Sequence, residues 1–340
     1  MDTLAAANLE PRQSTATGPI ASVADLAVTF VQREKRIAAV NGVSFDLAPG
    51  EVLTILGESG SGKSITLRAL VGSLPAHAEV SGRIRIAGHD LLAMDPTERR
   101  RLRGPVIAMV FQEPMSALDP VFTIGEQIAE TILAHDNGTT HAAAMRRARG
   151  LLEMVAIPSA ERRLNNYPHE MSGGMRQRAM IALALACQPS ILLADEPTTA
   201  LDATVQIQIL LLLRELQAKL GMSVIFVTHD VGVAAEIADR VAVMYGGRFV
   251  ETGSAEDVMK ERRHPYTEGL LASTVHGGMR GKKLEMIGGH PPDPSDLPPG
   301  CAFAPRCRYA VERCWRVDPP AVAVGDTRIV RCIRALSATV

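Results

Sequence analysis

The sequence predicts an α/β fold with a largely parallel sheet, and three observations support this prediction. Apolar runs typical of buried strands alternate with helix-like segments between about residues 50 and 230. A glycine-rich loop at residues 57–64 joins one of these strands to a helix. Another strand, Ile191–Ala194, runs directly into the adjacent carboxylates Asp195 and Glu196. The alternation favours parallel pairing, because parallel strands are joined by crossover helices.

The predicted elements follow one another in a regular order. Residues 1–20 are small and polar and predict a flexible tail, whereas residues 276–300 are rich in Gly and Pro and predict a linker or an irregular scaffold. The elements between them begin with short β-type runs from Val23 to Leu47, a strand over Glu51–Leu56, a helix over Ile65–Leu74, and strands over Arg83–Ala87 and Val106–Phe111. A mostly helical stretch follows over 115–170, with a break at 137–138. The last predicted elements are a helix over Arg176–Ala186, the strand Ile191–Ala194, a helix over Val205–Leu220 that ends at Gly221, and a strand over Ser223–Thr228.

Composition excludes several classes of protein. A chain of 340 residues suggests about two domains. With 36 basic and 37 acidic residues, no global field attracts nucleic acid or anionic lipid. No run reaches the roughly 18 to 20 apolar residues of a membrane span, and the N-terminus lacks the apolar region of a secretory signal. We therefore expect a soluble or peripheral protein of the cytosol.

The loop at residues 57–64, Gly-Glu-Ser-Gly-Ser-Gly-Lys-Ser, matches the phosphate-binding pattern GxxxxGK[ST]. Its glycines let backbone N–H groups close around phosphate oxygens, and the following helix adds a positive dipole. We expect Lys63 to reach the β- and γ-phosphates of ATP and the Ser64 hydroxyl to ligate Mg²⁺. The other predicted nucleotide contacts in the loop are Gly57, Ser59, Gly60, Ser61 and Gly62.

The carboxylates at the end of the Ile191–Ala194 strand predict the remaining chemistry of hydrolysis. Asp195 is expected to hold Mg²⁺ through water, and Glu196 to polarise the attacking water as a general base. Alone, such a pair is often a solvated strand end. Its occurrence together with a phosphate loop favours the catalytic interpretation.

A third motif, Met171-Ser172-Gly173-Gly174-Met175, precedes the acidic strand by about 20 residues. The turn at a helix start offers N–H groups and a hydroxyl to a γ-phosphate. It resembles the LSGGQ signature of the ATP-binding-cassette (ABC) ATPases, with Met in place of the Leu and the Gln. The resemblance implies that Ser172, Gly173 and Gly174 act on the nucleotide of a second cassette, so that hydrolysis requires a dimer.

Other family elements occur in order. Gln112 resembles the glutamine that contacts Mg²⁺ and the attacking water, Asp202 lies in a stretch resembling the D-loop across the dimer, and His229 resembles the switch histidine at the γ-phosphate. The adenine contact is less defined. Phe30 is the nearest upstream aromatic residue but is equally suited to a strand core, and Arg36 is the alternative over the base.

The resemblance narrows to the ATPases of dipeptide/oligopeptide importers. It rests on the stretches Phe111–Pro120, Thr123–Gln127, His169–Met175, His264–Thr267 and Pro291–Cys332. It implies a P-loop NTPase (RecA-like) α/β cassette over residues 21–260, with an antiparallel β subdomain and a helical subdomain over about 115–178, followed by a Cys/Pro-rich extension over 261–340.

The implied partners are two membrane-spanning permease subunits, a second ABC ATPase subunit that is identical or homologous, and, indirectly, an extracytoplasmic solute-binding protein. The membrane subunit is expected to dock on Met115–Gln127. The implied location is the cytoplasmic face of the cell (inner) membrane, as a peripheral protein, with no nucleic-acid partner. Alternatives are a soluble ABC ATPase that acts on nucleic acid or ribosomes, an importer of another solute such as nickel, and a cassette regulated by a metal-sensing tail.

Four cysteines, Cys301, Cys307, Cys314 and Cys332, lie in the last 40 residues. In a reducing compartment such a group favours a metal site over disulfides. The spacing lacks the tight pair of structural zinc sites, and four thiolates on irregular loops suit a [4Fe–4S] cluster better. Zinc and unligated cysteines remain alternatives. Five arginines nearby are expected to offset the cluster's negative charge, namely Arg306, Arg308, Arg313, Arg316 and Arg331.

Overall fold

A computed structural model describes residues 18–32, 35–199, 201–273, 286–325 and 327–337 of the chain. All but the last three residues of the predicted N-terminal tail lie outside these ranges, as does part of the predicted Gly/Pro-rich linker. The described chain forms two compact units. The first contains Gly18 and residues 48–50 and 94–224, and the second contains residues 19–47, 51–93 and 225–337. The second unit thus combines parts of the predicted ATPase domain with parts of the predicted extension.

Within the described ranges there are twelve strands. They are β1 (Ala21–Gln32), β2 (Lys35–Leu47), β3 (Val52–Leu56), β4 (Ala78–Ile86), β5 (His89–Asp90), β6 (Ile107–Val110), β7 (Ile191–Asp195), β8 (Ser223–Thr228), β9 (Arg240–Tyr245), β10 (Arg248–Ser254), β11 (Val322–Val324) and β12 (Arg328–Val330). The short β-type runs expected before Leu47 are two long strands, β1 and β2, joined in one antiparallel ladder.

The same ranges contain thirteen α-helices and two turns of 3₁₀ helix. The α-helices are α1 (Lys63–Leu70), α2 (Pro96–Leu102), α3 (Pro114–Ala117), α4 (Ile124–His135), α5 (His141–Met154), α6 (Ala160–Arg163), α7 (Gly173–Ala184), α8 (Ala203–Leu220), α9 (Val231–Ile237), α10 (Ala255–Lys260), α11 (Pro265–Ala272), α12 (Glu312–Arg316) and α13 (Ile333–Ser337). The 3₁₀ turns are Pro168–Glu170 and Ala304–Arg306.

Helix α1 differs from its prediction at both ends. It begins at Lys63, two residues earlier than expected, because Gly62 adopts a left-handed conformation with φ 107° and directs the chain into the helix. It ends at Leu70, four residues before the predicted end, since the left-handed Gly72 (φ 65°) terminates it. Helix α8 ends at Gly221 in the same conformation, as the sequence predicted.

The second unit contains antiparallel and parallel pairing. One four-stranded sheet has the antiparallel order β2-β1-β4-β5. In the other sheet the order β11-β12-β10-β9-β3 leads to β8, whose residues from Ile225 onward belong to this unit. Strands β3 and β9 run parallel with Leu53 opposite Arg240. Strand β3 is buried along its whole length, as expected for a strand of a covered parallel sheet.

The first unit has a parallel strand pair among helices. Strands β6 and β7 align Ile107 with Ile191. The stretch predicted to be mostly helical contains α3, α4, α5 and α6, and the break at 137–138 falls between α4 and α5. Helix α4 starts with a capping box, because Thr123 and Glu126 exchange side-chain and backbone hydrogen bonds.

Among the described residues, no helix is both long enough and apolar enough to span a bilayer.

Candidate functional site

The phosphate loop lies in the second unit between β3 and α1. The Lys63 side chain is buried (4% exposed), and its Nζ donates hydrogen bonds to the carbonyl oxygens of Gly57 and Glu58 at 2.9 and 3.0 Å. Two glycines are required by close packing. A Cβ at Gly57 would lie 2.3 Å from the Met244 carbonyl oxygen, and one at Gly62 would lie 2.4 Å from that of Ala39.

The loop fits a phosphate group in a second respect. The Ser61 hydroxyl is buried and lacks a hydrogen-bond partner, which costs free energy unless a ligand supplies one. A phosphate oxygen is a suitable acceptor for this hydroxyl. Ser59 and Gly60 lie at the exposed tip of the loop, while Ser64 is half-buried in the first turn of α1. The donor set therefore suits the nucleotide phosphates that the sequence predicts.

The first unit places Gln112, Asp195 and Glu196 at one sheet edge. Val110 lies opposite Ala194 in the parallel β6–β7 pair, so the residues that follow both strands emerge on the same side. Asp195 is buried, Glu196 half-buried and Gln112 exposed. Glu196 has φ 45°, an unusual value for a residue other than glycine, and its carboxylate accepts a hydrogen bond from the Thr199 hydroxyl at 3.0 Å. A positive φ at a residue other than glycine strains the backbone, and strained residues occur mostly at functional sites.

The predicted signature motif caps α7, also in the first unit. Ser172 is the N-cap, and its hydroxyl accepts a hydrogen bond from the Met175 N–H at 3.4 Å. Ser172 and Gly173 are exposed. A Cβ at Gly174 would lie 2.8 Å from a methyl group of Val205, so α7 approaches α8 closely at this point. Asp202 caps α8 by accepting from the Val205 N–H at 3.0 Å.

His229 and Phe30 lie in the second unit. His229 is exposed directly after β8, and the preceding residue, Thr228, accepts a hydrogen bond from the Gly57 N–H at 3.3 Å. The end of β8 is therefore adjacent to the start of the phosphate loop. Phe30 is half-buried on β1 with its ring 5.7 Å from that of His77. Arg36, the alternative adenine contact, forms an exposed ion pair with Glu79.

Sequence reasoning missed several residues around Glu58, the second residue of the loop. The Tyr266 hydroxyl accepts a hydrogen bond from the Glu58 N–H at 2.8 Å. The Arg306 guanidinium pairs with the Glu58 carboxylate and donates to the Tyr245 hydroxyl. In the sequence, the stretch His264–Thr267 is only a mark of resemblance to the importer ATPases. Its spacing gave no indication that Tyr266 would reach the phosphate loop.

The four C-terminal cysteines line one pocket together with Tyr309 and Arg334. Burial raises the pKa of the Cys301 thiol to about 11, and burial also raises the pKa values of Cys307 and Cys332. No disulfide joins them. Among the described residues, no three His, Cys, Asp or Glu side chains are grouped as for a single metal ion. The pocket thus gathers the cysteines without forming a single-ion site.

Three of the five arginines near the cysteines pair with carboxylates. Arg306, Arg308 and Arg316 form ion pairs with Glu58, Glu268 and Glu312. Burial raises the pKa of the Cys307 and Cys332 thiols, and the guanidinium that partly opposes this rise is that of Arg334. Arg334 was not among the five expected arginines. Arg334 is two residues from Cys332 but far along the chain from Cys307, so the sequence gives no sign that its charge acts on the Cys307 thiol.

Comparison with known proteins identifies the class of protein to which the chain belongs. Residues 40–199 match the family model described as "ABC transporter". A dimeric ATP-binding cassette solved with ADP and phosphate is 30% identical with a TM-score of 0.62, over 69% of this chain and 98% of that one. A protein from Clostridium perfringens described as part of an ABC transporter complex is 28% identical with a TM-score of 0.61, over 72% of this chain and 92% of that one. The chain is an ABC-type ATPase, and the predicted P-loop cassette fold is confirmed.

The C-terminal region, and relatives matched over nearly their whole length, show to which family of ABC-type ATPases the chain belongs. Residues 250–314 match the model "Oligopeptide/dipeptide transporter, C-terminal region". A putative peptide import ATP-binding protein of Brucella abortus is 49% identical over 329 residues, which cover 93% of this chain and 97% of the relative. A dipeptide transport ATP-binding protein of Bacillus subtilis is 46% identical over 315 residues, 92% and 94% of the two chains. The chain belongs to the family of oligopeptide/dipeptide ABC transporter ATP-binding subunits.

Proposed function

We propose that this chain hydrolyses ATP to drive the import of di- or oligopeptides across the cytoplasmic membrane. The observation that carries the proposal is the combination in one chain of a phosphate loop fitted to a nucleotide and a C-terminal region of the oligopeptide/dipeptide transporter type. Relatives named for peptide import, alike over nearly their whole length, support peptides as the solute. The same likeness disfavours an ATPase that acts on nucleic acid or ribosomes.

Transport assays test the proposed solute directly. We expect cells that lack the chain to lose uptake of labelled di- or oligopeptides, and the wild-type chain to restore it. A Lys63→Ala variant, which lacks the buried phosphate-loop ammonium, should not restore uptake. If peptide uptake is unaffected and nickel uptake is lost instead, the nickel alternative replaces the peptide proposal.

The proposed roles in hydrolysis follow the sequence motifs. Lys63, Ser61 and the backbone of Gly57, Ser59, Gly60 and Gly62 would hold the phosphates, and Phe30 would contact the adenine. Ser64, Gln112 and Asp195 would hold Mg²⁺, which supplies charge neutralisation at the phosphates when bound. Glu196 would take the proton of the attacking water, and His229 would donate to the γ-phosphate. The buried, unpartnered Ser61 hydroxyl and the strained Glu196 backbone support these roles.

A second cassette would complete each nucleotide site. Ser172 and Gly173 are exposed at the start of α7, where backbone N–H groups can receive an anion from another molecule. Asp202 is exposed as well, which suits its predicted place at a dimer interface. The solved relative described as dimeric supports this arrangement.

Permease subunits would dock on the first unit near α3. Large apolar side chains are exposed here, namely Phe111, Met115, Val121 and Phe122. Clustered exposed apolar residues indicate a contact surface. This segment includes part of Met115–Gln127, where the docking site was predicted. Docking on two membrane-spanning subunits would place the chain peripherally at the cytoplasmic face of the inner membrane, and an extracytoplasmic solute-binding protein would act through those subunits.

The cysteine pocket would hold a [4Fe–4S] cluster. Four thiols line one pocket, where burial raises the pKa of Cys307 and Cys332 and the nearby Arg334 guanidinium partly opposes that rise. In such a cluster each thiolate binds a different iron, so the sulfurs need not surround one point as they do around a single ion. When bound, the cluster would compensate the cost of ionising buried thiols. Zinc and unligated cysteines are the outcomes that would replace this proposal.

A further inference from the structure

Arg306 joins the Cys301–Cys307 segment to the phosphate loop through an ion pair with Glu58, whose side chain is 27% exposed. The Arg306 side chain is 4% exposed. Two guanidinium nitrogens donate to the two carboxylate oxygens of Glu58, Nη1 at 2.7 Å and Nη2 at 3.0 Å. Nη1 also donates to the Tyr245 hydroxyl at 3.3 Å, and Nε donates to the Gly288 carbonyl at 2.9 Å. A two-pronged pair of this kind fixes orientation as well as distance.

Tyr266 holds the backbone of the same residue. Its hydroxyl accepts the hydrogen bond from the Glu58 N–H, and its fully buried ring packs 4.5 Å from the Tyr245 ring and 5.4 Å from the Phe303 ring, centre to centre. The Glu58 carbonyl in turn accepts from Lys63 Nζ. Glu58 is therefore fixed at its side chain and at its N–H by the C-terminal segment, while its carbonyl binds the lysine predicted to hold phosphate.

The other end of this connection is the cysteine pocket. Phe303 and Arg306 lie between Cys301 and Cys307, on a segment closed by short-range hydrogen bonds. The Ala304 N–H donates to the Cys301 carbonyl at 2.9 Å, and the Cys307 N–H donates to the Ala304 carbonyl at 3.3 Å. Both cysteines and Phe303 line the pocket. Any change that displaces Cys301 or Cys307 therefore also moves Phe303 and Arg306.

We propose that Arg306 and Tyr266 are positioning residues that set the phosphate loop for nucleotide, and that through them nucleotide affinity depends on the packing of the cysteine pocket. The inference rests on the proposed nucleotide site at Lys63. Neither residue takes part in the chemistry, since both act through Glu58. Because coupling between two sites is reciprocal, nucleotide binding must also stabilise the segment from Cys301 to Cys307.

Nucleotide titration of the purified full-length chain tests the first half of the inference, that Arg306 and Tyr266 set the phosphate loop for nucleotide. We expect Arg306→Gln to raise the dissociation constant for fluorescent ADP about tenfold, within the usual range of coupling between sites. Arg306→Lys should have a smaller effect, because it keeps the charge and loses the two-pronged geometry. In the transporter complex, the KM for ATP should rise while kcat stays close to that of the wild type.

Arg308→Gln is the matched control. Arg308 lies two positions further along and is 58% exposed in an ion pair with Glu268. Its loss should change nucleotide affinity by less than about twofold. Tyr266→Phe removes only a hydroxyl and serves if Arg306→Gln fails to fold by circular dichroism. It should also weaken ADP binding.

Hydrogen–deuterium exchange tests the second half of the inference, that nucleotide binding stabilises the segment from Cys301 to Cys307. In the wild type, ADP should slow amide exchange between Phe303 and Cys307, and Arg306→Gln should abolish that protection. If Arg306→Gln and Tyr266→Phe bind ADP as the wild type does while Lys63→Ala does not, the coupling is refuted and the nucleotide site stands. If Lys63→Ala binds ADP normally, the proposed nucleotide site itself is wrong.

Discussion

At the scale of single residues, Glu196 combines a predicted chemical role with an unfavourable backbone conformation. A left-handed φ at a residue other than glycine or asparagine costs free energy that the surrounding fold must offset. The conformation follows directly from its position after β7, where the chain leaves the sheet. The buried neighbour Asp195 emerges beside it.

We therefore expect Glu196→Gln to keep nucleotide binding and to lower ATP turnover by roughly 10²- to 10⁴-fold, as loss of a general base does. Glutamine has the same shape, so the strained backbone and the Thr199 contact are retained. Steady-state hydrolysis by the assembled transporter is the measurement. Turnover near that of the wild type would remove Glu196 from the mechanism. If a homologous partner cassette has its own complete site, activity should fall only in part.

A second feature at the scale of single residues, the buried Glu251 carboxylate, concerns stability and not the chemistry of the site. The carboxylate of Glu251 is buried, accepts hydrogen bonds from the N–H groups of Arg263 and His264 at 3.0 Å each, and pairs with the nearly buried guanidinium of Arg328. Removing one partner of such a pair leaves an uncompensated buried charge.

Arg328→Met should destabilise the chain by about 3–5 kcal/mol, because it leaves the Glu251 charge unpaired. Denaturant unfolding measures the loss. The control is Arg316→Met, since Arg316 and Glu312 are both largely exposed, and it should cost less than about 1 kcal/mol. Equal losses for the two variants would show that burial of the Glu251 pair has no energetic consequence.

At the scale of elements, the sequence was most informative where local chemistry decides structure. Glycine determines the start of α1 and the end of α8, and both boundaries lie within two residues of their prediction. Thr123 caps α4, for which no boundary is predicted. The Cys-rich segment is different. Its packing depends on Tyr245, Tyr266 and Phe303, which come together from distant stretches. No periodicity in the sequence encodes contacts between such stretches.

The cysteine pocket allows a direct test at this scale. Anaerobically purified chain should be brown and contain about four irons, as thiolate ligation of a [4Fe–4S] cluster requires. Cys314→Ser should remove both colour and iron, whereas Cys187→Ser, which alters a cysteine outside the pocket beside Thr131, should retain them. About one zinc per chain would indicate a structural zinc site. Absence of metal would indicate that the four cysteines contribute only to packing.

At the scale of the whole molecule, the proposed dimer predicts complementation. In a homodimer, Lys63→Ala disables one chain's phosphate loop, and Ser172→Arg disables the signature motif offered to its partner. A mixed dimer would then contain one doubly defective site and one intact site. We expect ATPase activity above that of either variant alone. No recovery would indicate a heterodimer or a signature motif that acts within its own chain.

The proposed permease surface makes a second prediction at this scale. Val121→Asp places a charge on the exposed apolar surface near α3, where the side chain is 69% exposed. We expect the variant to remain folded but to lose co-purification with the membrane subunits, since a charge buried at an interface is costly. Ile207→Asp is the control, because Ile207 is similarly exposed (57%) on α8. Equal retention of Val121→Asp and Ile207→Asp would place the docking surface elsewhere.

The order in which the chain is synthesised gives the Arg306–Glu58 contact a further consequence. The two residues are 248 positions apart, so the phosphate loop leaves the ribosome long before the arginine that fixes it. A nascent or prematurely terminated chain that ends before Tyr266 contains the complete GxxxxGK[ST] pattern but lacks both anchors of Glu58. Full affinity for ATP would then arise only once translation has passed Arg306, so that an unfinished cassette would bind nucleotide less tightly than a finished one.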